Sequence, residues 1–131
     1  MRMLHRLAWS TAACLPFASL NAQPAANQWQ QIHRDETAEF FVDPSTLERR
    51  GSNFTIMARA VFHEPQQGIA SLSSRMLYDC AARTLVILHL TQLRPDGSVA
   101  LDGDTGADDR TPDPVAPQSA NEAMLNQFCP H

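Results

Sequence analysis

The stretch Leu72-Ser73-Ser74-Arg75-Met76-Leu77-Tyr78-Asp79-Cys80, turned by Ala81-Ala82-Arg83 into the apolar run Thr84 to Leu93, decides the fold. Its first half alternates with period two. Leu72, Met76, Tyr78 and Cys80 point one way, and Ser73, Arg75, Leu77 and Asp79 the other, so this is a half-buried strand with Cys80 facing the core. In the second half Leu85, Ile87, His89, Thr91 and Leu93 lie opposite Val86, Leu88, Leu90 and Gln92. Apolar residues on both sides mark a central strand, or one covered on its second face by a helix or a subunit.

Strands are expected on either side of it. Phe54 to Phe62 places Phe54, Ile56, Ala58, Ala60 and Phe62 on one face and Thr55, Met57, Arg59 and Val61 on the other. Upstream, residues 29–34 and 39–42 read as two short strands. The second ends at Asp43-Pro44-Ser45, because Pro44 cannot donate to a ladder, and Ser45 to Glu48 reads as one helical turn. Downstream, Pro95-Asp96-Gly97-Ser98 is a tight turn leading into a short strand at Val99-Ala100-Leu101. Residues 102–117 turn to Asp, Gly, Pro and Thr, and read as a flexible loop. Ser119-Ala120-Asn121-Glu122 then has capping-box spacing, and Ala120, Ala123, Met124 and Phe128 share one side of the helix it opens, with Cys129 at its end. Strands first and one helix last define an α+β domain, an antiparallel sheet of about five or six strands with a C-terminal helix on one face.

The first residues set the compartment. Arg2 and Arg6 precede the uncharged run Leu7 to Leu20, and Ala22 precedes Gln23-Pro24, which is a secretory signal peptide over residues 1–22. The apolar run is too short for a transmembrane segment. A second treatment takes Thr11-Ala12-Ala13-Cys14 as a lipobox with Cys14 lipidated. Residues 23–131 then form a single domain. Of three cysteines in the chain, Cys80 and Cys129 remain after cleavage, and an oxidising compartment makes a disulfide between them the default. Two free thiols or a metal site are the other readings, although two cysteines without nearby His make a poor zinc set.

Charge weighs against one class of partner. The chain has 10 Arg and no Lys against 14 Asp plus Glu. Without Arg2 and Arg6 the balance is eight against fourteen, a net charge of −6 with His neutral. Nucleic acid demands a basic face, so an acidic domain argues against it as the main partner, while leaving room for a few of the arginines to cluster.

Chemistry-bearing constellations are sparse. Asp102, Asp104, Asp108, Asp109 and Asp113 offer the oxygen ligands a calcium ion takes, but Ala107 stands where a calcium loop needs glycine and no helix precedes it. His33, His63, His89 and His131 are scattered singly. His89 is the one candidate ligand-binding residue, because it sits inside an apolar strand where a polar group needs a partner. No nucleophile elbow or phosphate loop occurs, no catalytic residue stands out, and no cofactor or metal is called for.

Trp29, then Phe41-Val42-Asp43-Pro44-Ser45 followed by Gly51-Ser52-Asn53 and an apolar strand, then Tyr78-Asp79-Cys80 with Arg83, and Pro117-Gln118-Ser119 opening a helix that ends in Cys129, resemble the surface-adhesin protein E family of bacterial envelope proteins. The resemblance spans nearly the whole mature chain. It implies an antiparallel sheet with a C-terminal helix, a mid-chain to C-terminal disulfide, and export to the periplasm or cell surface. It further implies binding of host matrix and plasma proteins, a capacity to form a homodimer, and an association with haem. No family motif assigns ligand contacts. The function expected is therefore an exported, noncatalytic binding protein with a protein partner. A periplasmic haem carrier using His89 is the alternative, and a small periplasmic enzyme comes third.

Overall fold

A computed structural model describes residues 28–130 of the chain. The expected leader, the Cys14 alternative and His131 lie outside the described residues. Six strands follow one another as an antiparallel meander: β1 Gln30–Arg34, β2 Ala38–Arg50, β3 Asn53–Gln66, β4 Ile69–Asp79, β5 Thr84–Leu93 and β6 Val99–Asp104. A two-residue strand, β7 Asp113–Pro114, extends the sheet by pairing with Thr84 and Leu85 of β5. Helix α1, Ala120–Phe128, closes the described chain. The expected α+β class and strand count hold.

Helix and sheet meet through the face that alternation assigned to the core. Val42, Phe54, Ile56, Met76, Tyr78 and Leu85 pack with Met124, Leu125 and Phe128 of α1. Phe54 stacks on Tyr78 with ring centroids 5.0 Å apart, and Phe128 tilts against Phe54 at 5.8 Å. Burying each of these large side chains contributes about 2 kcal/mol. Cys80 and Cys129 are disulfide-bonded, with Cα atoms 5.7 Å apart, and bolt the end of α1 to the end of β4. At the other end of α1 the Ser119 hydroxyl accepts from the Glu122 amide, at 3.2 Å, as the capping spacing requires. The Glu122 carboxylate reaches back to the Gln118 amide, one residue earlier than a reciprocal box would place it.

Three local findings differ from the sequence reading. Strand β2 does not stop at Asp43 but runs on to Arg50, with its pairing interrupted between Asp43 and Glu48. Within that interruption Pro44 has no ladder bond to lose, and side chains replace the ladder. The Asp43 carboxylate accepts from the Ser45 amide and hydroxyl, while the Thr46 hydroxyl donates to the Asp43 carbonyl and accepts from the Met57 amide. Residues 45–48 are strand, not a helical turn.

The second difference is in β5. Met76 faces Ile87 while Arg75 faces His89, so Leu88 is an extra residue. Thr105 satisfies the displaced carbonyls: its amide donates to Leu88 and its hydroxyl to Ile87. Because side chains alternate with period two, one inserted residue moves His89 and Thr91 to the face opposite Leu85 and Ile87. Third, within the stretch expected as a loop, Asp102–Asp104 complete β6 and Asp113–Pro114 form β7.

Candidate functional site

A nine-residue helix is about 13 Å long, whereas the 14-residue β3 spans about 45 Å. Among the described residues the single α-helix lies on the core face, and no helix covers the opposite, open face of the sheet, on which Asp43, Ser71 and Val86 are nonetheless buried. Residues paired across a ladder share a face, so the strand register reads this open face out in rows. One row runs Gln31, Phe41, Arg59, Ser73, Thr91 and Asp102. The next carries Met57, Arg75, His89 and Asp104, then come Glu48, Thr55, Leu77 and Val86, and then Arg50, Asn53 and Asp79.

Trp29, just ahead of β1, joins this face: the guanidinium of Arg59 lies 6.0 Å from its ring centroid. The Nε of Arg59 is buried without a hydrogen-bond partner among the described residues, and so is Oδ1 of Asn53. Arg75 pairs loosely with Glu48 at 3.7 Å, both side chains more than half exposed. Between them a groove of about 350 Å³ is lined by Glu48, Arg50, Asn53, Thr55, Arg75 and Leu77. A second depression of about 290 Å³ adjoins it, beside Thr46, Met57 and Arg75. Face and groove together combine a Trp, a Phe, a Met and three Arg on a rigid platform. All are enriched at protein interfaces, and Trp and Arg are among the types that dominate binding energy there.

His89 stands toward the β6 margin of the same face. Its position follows from two local devices, the Leu88 bulge and the Arg94–Ser98 turn. In that turn Gly97 takes φ +84°, the Asp96 carboxylate accepts from the Ser98 amide and hydroxyl, and the strands are joined by Arg94 N–H to the Ser98 carbonyl. Asp104 and Asp102 then fall opposite His89 and Thr91. Nδ1 of His89 meets Asp104 at 2.6 Å, Nε2 meets Asp102 at 2.7 Å, and the Thr91 hydroxyl donates to Asp102 at 2.7 Å. Two carboxylate acceptors are both satisfied only by the doubly protonated ring. The hydrogen bonds to Asp104 and then Asp102 accordingly lift the imidazole above its ordinary value. Those from Thr91 and then His89 hold Asp102 below the usual carboxylate value.

The two carboxylates approach opposite nitrogens of one ring, so their oxygens do not converge on a point where a cation could sit. Among the described residues no group of three His, Cys, Asp or Glu side chains is arranged to hold a metal ion. His33 and His63 are brought to the other end of the sheet: His33 packs against the Phe40 ring, and His63 Nε2 lies 3.0 Å from the Asp35 carbonyl. The structure does not gather the acidic residues of 102–113 into one site. Asp102 and Asp104 are on β6, Asp108 and Asp109 in a short 3₁₀ turn, and Asp113 on β7.

This is a small disulfide-stapled α+β domain whose distinctive surface is a sheet face rather than a cleft. The chain belongs to the surface-adhesin protein E family, whose model matches residues 29–130. No curated protein and no solved structure gives a significant match to the chain. Among the described residues no helix is long and apolar enough to cross a membrane.

Proposed function

We propose that this chain is an exported, noncatalytic adhesin-like protein of the bacterial envelope that binds a protein partner through the open face of its sheet. The observation that carries the reading is the content of that face: Trp29, Phe41, Met57, Arg59 and Arg75 on one side of three adjoining strands, opposite the face covered by α1. Family membership supports the adhesin-like role, and the leader expected over residues 1–22 supports export. Aromatic side chains held on strands have few torsions to freeze on binding, which suits them to a recognition surface.

Surface binding of purified protein to immobilised matrix and plasma proteins tests this. The variant Trp29→Ala/Phe41→Ala should lose retention while keeping its melting temperature within a few degrees. Retention that survives this double change, or that is lost instead on changing exposed residues of α1 such as Asn126 and Gln127, would place the binding surface elsewhere.

A further inference from the structure

The arginines divide by what they already hold. Of the eight among the described residues, Arg34 pairs with Glu39 and Arg83 with Glu122. Arg49 donates to the Phe128 carbonyl, Arg94 to Ser98 and Val99, and Arg110 to the Thr105 carbonyl. Among the described residues, Arg50 has no ion-pair or hydrogen-bond partner, and Arg59 has no anionic partner: its guanidinium lies over the Trp29 ring and its Nε is buried and unpartnered. Arg75 has only its 3.7 Å exposed contact with Glu48. These three lie on the open face. In a domain of net negative charge, the uncommitted cations are thus concentrated on one side of β2, β3 and β4.

They are separated along the strands by whole rows. Arg59 and Arg75 occupy neighbouring rows, Thr55 and Leu77 the row after, and Arg50 the row beyond that. Rows are about 7 Å apart, two residues of strand, which is also the repeat of same-side residues in any extended chain. An extended segment lying over β3, with Arg75 of β4 and Arg50 of β2 reaching in from about 5 Å on either side, would therefore present carboxylates at positions i, i+2 and i+6 to Arg59, Arg75 and Arg50. Its i+4 side chain would rest on the apolar floor of Thr55 and Leu77, in the 350 Å³ groove. Asp102 and Asp104 at the β6 margin repel an acidic ligand from that side and so favour this line over one crossing the strands. Glu48 offers the one competing carboxylate in the groove, and an exposed pair of this kind exchanges partners at little cost.

We propose that the open face recognises an extended acidic polypeptide segment in which carboxylates at i, i+2 and i+6 flank an apolar residue at i+4. The proposal rests on the reading of this face as the binding surface and specifies the chemistry of its partner.

Fluorescence anisotropy with the labelled peptide Glu-Ser-Glu-Ser-Leu-Ser-Glu tests it, with the same peptide carrying Gln at each Glu position, and a heparin oligosaccharide, as comparisons. The acidic peptide should bind, more weakly at physiological than at low salt, and the Gln peptide should not. Arg75→Glu, at an exposed position that folding does not depend on, should weaken binding about tenfold or more, while Arg94→Ala leaves it unchanged. Arg59→Lys should give a smaller loss, since Lys keeps the charge but not the fork. Equal binding of the Gln peptide, tighter binding of heparin, no peptide binding, or undiminished binding by Arg75→Glu would each overturn the proposal. If immobilised proteins are still retained through Trp29 and Phe41 when the acidic peptide fails, the partner chemistry is wrong and the surface assignment stands.

Discussion

The Tyr78 hydroxyl donates a 2.7 Å hydrogen bond to Oδ1 of Asn121, joining the middle of the sheet to the first turn of α1. Arg49 donates to the Phe128 carbonyl at the other end of the helix, at 2.6 Å, beside the Cys80–Cys129 bridge. A helix of nine residues is not stable alone in water, so its position depends on these ties and on the apolar contacts between them. Burial pushes the Tyr78 phenol well above its ordinary value, which keeps it a neutral donor across the physiological range. Tyr78→Phe should cost about 1 to 2 kcal/mol in denaturant unfolding, because it leaves the Asn121 acceptor unpaired.

Breaking the bridge should act on stability and yield, leaving the open face intact. The cysteines are 49 residues apart, and in the loop-entropy account closing such a loop is worth about 4 kcal/mol. The Cys80→Ser/Cys129→Ser double variant, compared with wild type by thermal melting with and without reductant, should melt lower and become insensitive to reductant. A variant that keeps its melting temperature but loses binding would show that the sulfurs take part in recognition.

The clasp of β6 onto β5 should respond to pH. His89 is raised above its ordinary 6.5, so its contribution is complete below about pH 6.5 and is lost as pH rises through the raised value. Asp102 is lowered from 3.8, so its contribution is present above that pH and is lost as pH falls through the lowered value. The hairpin is therefore held best in mildly acidic solution. Arg75, the neighbour of His89 on β4, opposes the imidazolium, and Asp102 and Asp104 on β6 outweigh it. NMR titration should find His89 above the free-imidazole value in wild type and lower in Asp104→Asn. Exchange of β6 amides, referenced to His89→Gln, should quicken as the ring deprotonates.

Loss of the N-cap offers a smaller and separate test of α1. Ser119→Ala removes the hydroxyl that accepts from Glu122 and donates to the Ala116 carbonyl at 2.7 Å. The expected cost is about 1 kcal/mol, read from chemical unfolding, with no change in binding through the open face.

Alternation in Leu72 to Cys80 and Phe54 to Phe62 was enough to separate the core side from the open side, and the Ser119 cap was enough to start the helix. Bulges were not legible. Nothing in Ile87-Leu88-His89 marks an extra residue, since its cause is Thr105, which satisfies two carbonyls from outside the strand. Pro44 was a sound reason to end β2, overridden because Asp43, Ser45 and Thr46 supply the missing hydrogen bonds. The pairing of His89 with Asp102 and Asp104 had a faint signal: two Asp separated by one residue, at hairpin distance beyond a Pro-Asp-Gly-Ser turn. The alignment of Arg59, Arg75 and Arg50 depends on register between three strands, which single-strand alternation does not contain.

Amide hydrogen exchange of the intact protein, alone and bound to an immobilisable protein partner or the acidic peptide, tests directly whether the open face is the binding surface. Binding through the open face should bring new protection in β3 and β4, around residues 55–61 and 71–77, with α1 unchanged. Protection confined to α1 and the Cys80–Cys129 end, with β3 and β4 exchanging as before, would contradict it.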